Sequence, residues 1–326
     1  MQRLGSATAG FIALSATTLY LFAATAAEAA SLHAVSGVVS SLILVGLLTG
    51  IDRHGRSLLH GFSAPPFGLR DLTSFLFVSG GAVAAFLLSV EMQLGPVIGA
   101  AMVGLIAGLF IPRYGVPAYC GAFVGMASEE LLCLRGGLFV AAAVAGLVFV
   151  LSEGVFGGFG GKLGTIALTG CIVAALVHGR PFLVSAPATW SVAWALIPYS
   201  AIAAVATFYL SVHLGHGAVP ASSIVGLVGG LLLPPLHPTL GSAPAVVVIC
   251  ASFAGMSTPQ RLPALWAVGI AGALAGLVFV YSAPYLGGAG GKLGTIAFGS
   301  VIAVNGILAL FHESPAVVES QSRSHA

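Results

Sequence analysis

Charge is what this sequence has least of. Asp, Glu, Lys and Arg make up 6% of its 326 residues, against about a quarter in a soluble domain. With 58% hydrophobic residues, no soluble fold could keep so much apolar side chain from water, since much of any folded surface faces solvent. Composition therefore points to a polytopic membrane protein. The formal net charge of +2 and eleven scattered cations form no basic face of the kind nucleic acid requires.

Cysteine is scarce too. Cys120, Cys133, Cys171 and Cys250 lie in apolar runs without CxxC or Cys/His spacing. They read as small buried core residues, against a disulfide scaffold or a zinc site. No His/Asp/Glu cluster has metal-ligand spacing, and no Ser–His–Asp or paired-carboxylate arrangement stands out. Neither catalysis nor a metal or cofactor is expected. No stretch is long and polar enough for a soluble domain, which argues against a membrane-anchored enzyme or sensor head.

What the chain does have is long apolar runs. A helical span needs about 20 mainly apolar residues, which predicts spans near 8–27, 33–51, 73–91, 95–112, 116–133, 137–153, 163–178, 190–212, 219–235, 243–258, 264–282 and 293–312. The first 30 residues also resemble a secretory signal peptide, with a basic start, an apolar stretch and small residues near Ala27 to Ala30. An uncleaved first span is the preferred reading. Arginine placement gives the orientation. With both termini and the basic 52–72 loop in the cytoplasm, Arg3, Arg53, Arg56, Arg70, Arg113, Arg261 and Arg323 fall inside, and only Arg135 and Arg180 outside.

The sequence also repeats itself. GGFGGKLGTIA at 157–167 returns as GGAGGKLGTIA at 287–297, AGLVFV at 145–150 returns at 275–280, and FVGMAS at 123–128 matches FAGMST at 253–258. Upstream the offset shortens by eight residues: LSVEM at 88–92 matches LSVHL at 210–214, and GLIAGLFIP at 104–112 matches GLVGGLLLP at 226–234. The difference falls in PLHPTLGSAP. Ordered matches with one insertion signal an internal duplication. The expected organisation is two N-terminal helices (1–51), a cytoplasmic loop (52–72), a first five-helix repeat (73–180), a second (181–312) and a polar tail (313–326). Five is odd, so the second copy would start on the opposite side of the membrane. The expected fold class is thus an all-α polytopic membrane protein of about 12 helices, with two inverted-topology five-helix repeats, the layout of many secondary transporters.

The duplicated phrase holds the only two lysines, Lys162 and Lys292. Each glycine lowers helix stability by about 1 kcal/mol relative to alanine, so four glycines in five residues predict a break, with a new helix starting at each lysine. A helix start carries unsatisfied N–H groups and a partial positive charge. Lys162, Lys292, the Thr165 and Thr295 hydroxyls and the backbone at Gly160, Gly161, Gly290 and Gly291 are candidate contacts for an anion or a carbonyl oxygen. Irregular backbone at membrane depth is tolerated only inside protein or along a wet cavity. Two plainer readings stand beside this one: glycines allow close helix packing, and lysines at helix ends snorkel to the headgroups. A nucleotide-type phosphate loop is excluded, because Phe156 and Leu286 occupy its first glycine position and leucine follows each lysine.

Ser128 and Thr258 align between the copies, each at the mouth of a span, and join the candidate solute contacts. Glu153 has no acidic counterpart, since Ala283 takes its place; it is the candidate for proton coupling and for an ion pair with Lys162. Glu91, aligned with His213, reads as interfacial. Glu129, Glu130 and His237 read as solvated.

Together these readings predict a transport protein of the cell membrane, a channel or a secondary transporter, passing a small and preferentially anionic solute between the two repeats. The rival reading is a non-transporting subunit or scaffold whose lysines and glycines serve packing, lipid or partner binding. The expected partners are the lipid bilayer and a small solute or ion, and a homo-oligomer is compatible with either reading. The layout resembles that of chloride channels and exchangers by analogy alone, and no residue role is carried over from them.

Overall fold

The protein is described here from a computed structural model covering residues 2–61, 66–132, 135–187 and 190–313. It is all-helical, 79% helix, with no strand among the described residues. The two N-terminal helices are α1 (Gln2–Leu32) and α2 (Ala34–Gly61). Next come α3 (Leu69–Phe86), α4 (Pro96–Phe110), α5 (Gly115–Val124), the single turn α6 (Glu129–Leu132), α7 (Arg135–Leu151) and α8 (Lys162–Val177). The second half holds α9 (Trp190–Phe208), α10 (Ala218–Leu236), α11 (Ala243–Gly255), α12 (Leu265–Tyr281) and α13 (Lys292–Glu313).

Each of the twelve expected spans contains a helix, but length divides them. Among the described residues, six helices are long and apolar enough to cross a membrane, and six further apolar helices have only 10–17 residues. This is consistent with a membrane-embedded helical protein. At 1.5 Å per residue, the 10-residue α5 and 13-residue α11 reach about 15 and 20 Å, short of the roughly 30 Å apolar layer. The expectation of one continuous helix over 116–133 is therefore corrected. The helix stops at Val124, turns, and resumes as α6. The expected 243–258 helix likewise stops at Gly255. The cause is tertiary: the Ser128 N–H donates to Gly288 O (2.8 Å) and the Thr258 N–H to Gly158 O (2.9 Å). Each donor that would have extended a helix is captured by a glycine loop from the other half.

Both π-helical turns also fall at matched positions, Leu87–Glu91 after α3 and Tyr209–His213 after α9. Gln93 (φ +55°) and Gly215 (φ +72°) follow, then Gly95 (φ +79°) and Gly217 (φ +82°). Similar sequence has here produced similar backbone.

The core sits where α8 and α13 cross. Two-thirds of the α13 span is buried, whereas no other candidate span exceeds 44%. The crossing is backbone on backbone. A Cβ on Gly294 would lie 2.6 Å from Gly164 Cα, and a Cβ on Gly164 would meet Gly294 Cα in turn. On the far side of α13, α2 presents Gly46 and Gly50. Cβ atoms there would lie 2.7 Å from Ile307 Cγ1 and 2.7 Å from Ile302 O, the close small-residue packing typical of membrane helices.

Overpacking a filled contact costs about 1–3 kcal/mol and sometimes more. Gly164→Val and Gly294→Val should each therefore lower the thermal unfolding midpoint of the detergent-solubilised protein or abolish its monodisperse peak. Gly157→Ala, where a Cβ meets no heavy atom within 4 Å, should leave both unchanged.

Candidate functional site: the paired glycine–lysine turns

Both copies of the glycine phrase adopt the same turn. Phe156 and Leu286 have φ of +50° and +52°, Gly158 and Gly288 of +81° and +76°, and Gly161 and Gly291 of +84° and +85°. Side chains disfavour this left-handed region, which explains the glycines but not Phe156. Phe156 is held by its surroundings. Its ring stacks on His54 (4.3 Å between centroids) and on Phe11 (5.3 Å), and its N–H donates to His54 Nε2 at 2.7 Å.

Each turn delivers its lysine to the same kind of partner. Lys162 Nζ donates to Ser152 O at 2.7 Å and Lys292 Nζ to Ser282 O at 2.6 Å. Ser152 directly follows α7 and Ser282 caps α12. Carbonyls in a helix's last turn lack intrahelical donors, and a cation near that end also meets the negative end of the helix dipole. One lysine thus starts a helix and closes the preceding one. An ammonium has three donors, so the carbonyl engages one of them. Snorkelling to headgroups does not describe this geometry.

The candidate glycines are tightly packed. A Cβ on Gly160 would lie 2.8 Å from Ala254 O and one on Gly290 2.6 Å from Val124 O, so each turn rests on the last carbonyls of the short helix of the other half. The Gly160 N–H donates to Ser257 Oγ at 3.1 Å. Cβ atoms on Gly161 and Gly291 would lie 2.5 Å from Phe298 N and Leu168 N respectively. At the crossing itself, carbonyl oxygens face Cα atoms, with Gly291 O 2.8 Å from a Cβ position on Gly164.

Ser128 and Thr258 meet the opposite loops through their backbone N–H groups, as described above. Ser128 Oγ also lies 3.4 Å from the Leu131 N–H of α6. Thr295 Oγ1 donates to Gly291 O at 3.2 Å, whereas buried Thr165 Oγ1 has no hydrogen-bond partner among the described residues. Cys120 Sγ and Cys250 Sγ donate to Leu163 O (3.4 Å) and Leu293 O (3.2 Å). Cys171 is also buried and free, and Cys133 lies outside the described residues.

Glu153 does not take Lys162 as its ion-pair partner. Its carboxylate lies 3.2 Å from Arg3 and 4.0 Å from Arg70, while Arg3 also binds Asp71 at 2.9 Å. Sequence order offered no means of bringing Arg3 to residues 71 and 153. Of the remaining polar candidates, Glu91, Glu129, Glu130 and His213 are exposed, and His237 Nε2 pairs with Tyr199 OH at 2.6 Å.

A partly open cavity of about 460 Å³ leads to the first turn. Residues 156–162 form part of its wall, and Arg70, Asp71, Arg113 and Glu153 also line it. Lys162, Gly160, Gly161 and Glu153 are the candidates it brings together; Thr165, Ser128 and Thr258 are not among its lining residues.

Sequence reasoning missed two residues beside this turn. His54 falls in the expected 52–72 loop, but it lies on α2, and its Nε2 accepts the Phe156 N–H. Arg261 was counted only for orientation, yet its Nε donates to Gly157 O at 2.9 Å and its guanidinium lies 4.5 Å from the Phe159 ring centre. Position 261 corresponds to Leu131 in the first copy, and that departure was the available signal.

Comparison with protein-family models, curated proteins and solved structures finds no match for this chain. The layout analogy with chloride channels and exchangers thereby gains no support.

Removing a buried partner leaves a carbonyl unpaired at a cost of about 1–3 kcal/mol. Lys162→Met and Lys292→Met should each lower the unfolding midpoint in detergent, and by similar amounts, because the two caps are alike. A lysine variant as stable as the parent would remove the capping role from that position.

Proposed function

We propose that this protein moves a small anion across the membrane, with the cavity above the first glycine–lysine turn as one mouth of its pathway. The observation that carries the reading is that cavity, which ends on irregular backbone deep among apolar helices. Backbone of this kind is tolerated at membrane depth when it is packed in protein or lines water, and here the Gly157–Gly161 segment packs against α11 and lines the cavity. The charge of the wall favours an anion. Arg70, Arg113 and Lys162 line it, and its two carboxylates, Asp71 and Glu153, are both bound by Arg3. The two unused donors of the Lys162 ammonium supply the solute contact, and Arg70 and Arg113 raise the local anion concentration.

The wider architecture proposed is two inverted five-helix units with the solute route between them. The twelve apolar helices and the paired turns support it, as does the exchange of contacts in which each short helix ends on the other half's loop. Five of the seven arginines expected inside, Arg3, Arg53, Arg70, Arg113 and Arg261, gather around this cavity and a neighbouring one. That grouping agrees with a single cytoplasmic face. Glu153 is engaged by two arginines, so a role in proton coupling would require that cluster to open. Lys292, Gly290, Gly291 and Thr295 belong to the matching turn and would serve the opposite mouth.

One observation favours the rival scaffold reading: both ammonium groups are already engaged by carbonyls at 2.7 and 2.6 Å. The readings separate in reconstituted vesicles. If the pathway is real, chloride, nitrate or formate flux should fall about ten- to a hundredfold in Lys162→Gln, since a charge-assisted hydrogen bond contributes about 1.5–3 kcal/mol. Gly157→Cys should react with a membrane-impermeant thiol reagent above the wild-type background. Absence of flux for all three anions, with Gly157→Cys unreactive, would leave the scaffold; flux unchanged in Lys162→Gln would remove the lysine from the pathway.

A further inference from the structure

A second cavity lies behind the same turn. It has a volume of about 440 Å³ and is bounded by α2, α13, the connection between α11 and α12, and Phe159 of the glycine turn. Its polar lining is Arg53, His54, Ser57, Gln260, Arg261 and Asn305, and among the described residues lining it none is acidic. In a chain with nine carboxylates against eleven Lys/Arg, this concentration of donors in one concavity is a chemical statement. Arg53 already has an interaction partner and enters only as a lining cation.

The central group is Arg261. Its Nε is committed to Gly157 O and its plane is steadied by Phe159, so the guanidinium is held before any ligand arrives. The segment that carries it is fixed as well, because Asn305 Nδ2 donates to Arg261 O at 2.8 Å. An immobilised guanidinium offers its remaining N–H groups as a fork that matches two oxygens of one phosphate. His54 adds a directed donor. Its Nε2 accepts the Phe156 N–H at 2.7 Å, which places the ring proton of the neutral imidazole on Nδ1. Ser57 and Gln260 add neutral hydrogen-bonding groups at the rim.

We infer that this cavity is a binding site for a phosphate group, separate from the solute cavity and built around Arg261. The ligand carries a phosphate monoester, a phosphodiester headgroup or free phosphate; the shared chemistry is a compact anion with several oxygens. Phe159 lines both cavities, and Arg261 and His54 hold Gly157 and Phe156 of the same turn. Occupancy therefore bears on the segment that ends at Lys162. The site stands on its own geometry and does not depend on the transport reading.

The test uses the full chain purified in detergent, with binding read as a saturable shift of the unfolding midpoint and by native mass spectrometry. The probes are inorganic phosphate, short-chain phosphatidic acid, short-chain phosphatidylglycerol and, as an uncharged control, short-chain diacylglycerol. Saturable binding of phosphate and phosphatidic acid alike identifies a free phosphate or monoester site. Binding of the phospholipids alone identifies a headgroup site. In either case Arg261→Gln should weaken binding about tenfold or more, since the fork is lost. Because Arg261 also supports the turn, Ser57→Glu is the second variant. It places a carboxylate at the rim from an exposed helical position and should weaken binding comparably without changing the unfolding midpoint of the unliganded protein. The inference is overturned if no phosphate probe binds saturably, if diacylglycerol binds as well as the phosphate probes, or if binding survives Ser57→Glu.

Discussion

The contact on which the rest depends is the crossing of α8 and α13 at Gly164 and Gly294. Two helix starts approach so closely that neither glycine can accept a Cβ without meeting the other's Cα. The approach places Gly161 against the first turns of α13 and Gly291 against those of α8. It also allows each glycine turn to rest on the last carbonyls of the short helix from the other half. Shortness and crossing are one feature: α5 and α11 end where they do because the opposite turn occupies the space beyond them. Similar residues at matched positions build both sides, so a change at either glycine is felt across the interface.

Apolar surroundings make that arrangement demanding, because every helix end leaves polar groups that lipid cannot satisfy. The ends are closed by groups from near and far. Lysine ammoniums close α7 and α12, and the Ser128 and Thr258 N–H groups meet glycine-turn carbonyls across the two halves. Arg261 takes Gly157 O, while the Leu183 N–H takes the corresponding Gly287 O at 3.0 Å. The last pair marks where the copies diverge. Arginine on one side and a main-chain amide on the other give the first turn a charged neighbour and the second a neutral one. The two cavities described above gather on the charged side.

Each lysine closes the end of the preceding helix. Capping explains why a cation is needed at each position, and why its stem must reach ten residues back along the chain. It does not explain the cavity beside Lys162, the arginines on its wall or the donors on its far side. Those features distinguish the first turn from the second.

Much of this was legible in the sequence. Composition required membrane helices, and the duplicated phrase marked the break and the residue at which each new helix starts, because glycine's helix cost and left-handed freedom are local properties. The paired π-helical turns inside the expected 73–91 and 190–212 spans were not read from the sequence. What the tertiary structure alone decided were the partners: Arg3 for Glu153, His54 for Phe156, Arg261 for Gly157, a main-chain carbonyl for each lysine, and the truncation of α5 and α11. Each joins segments far apart in the chain or depends on where a helix stops. A single sequence carries helix propensity and periodicity residue by residue, whereas these pairings arise only when packed backbones bring unsatisfied donors and acceptors within hydrogen-bond reach of one another.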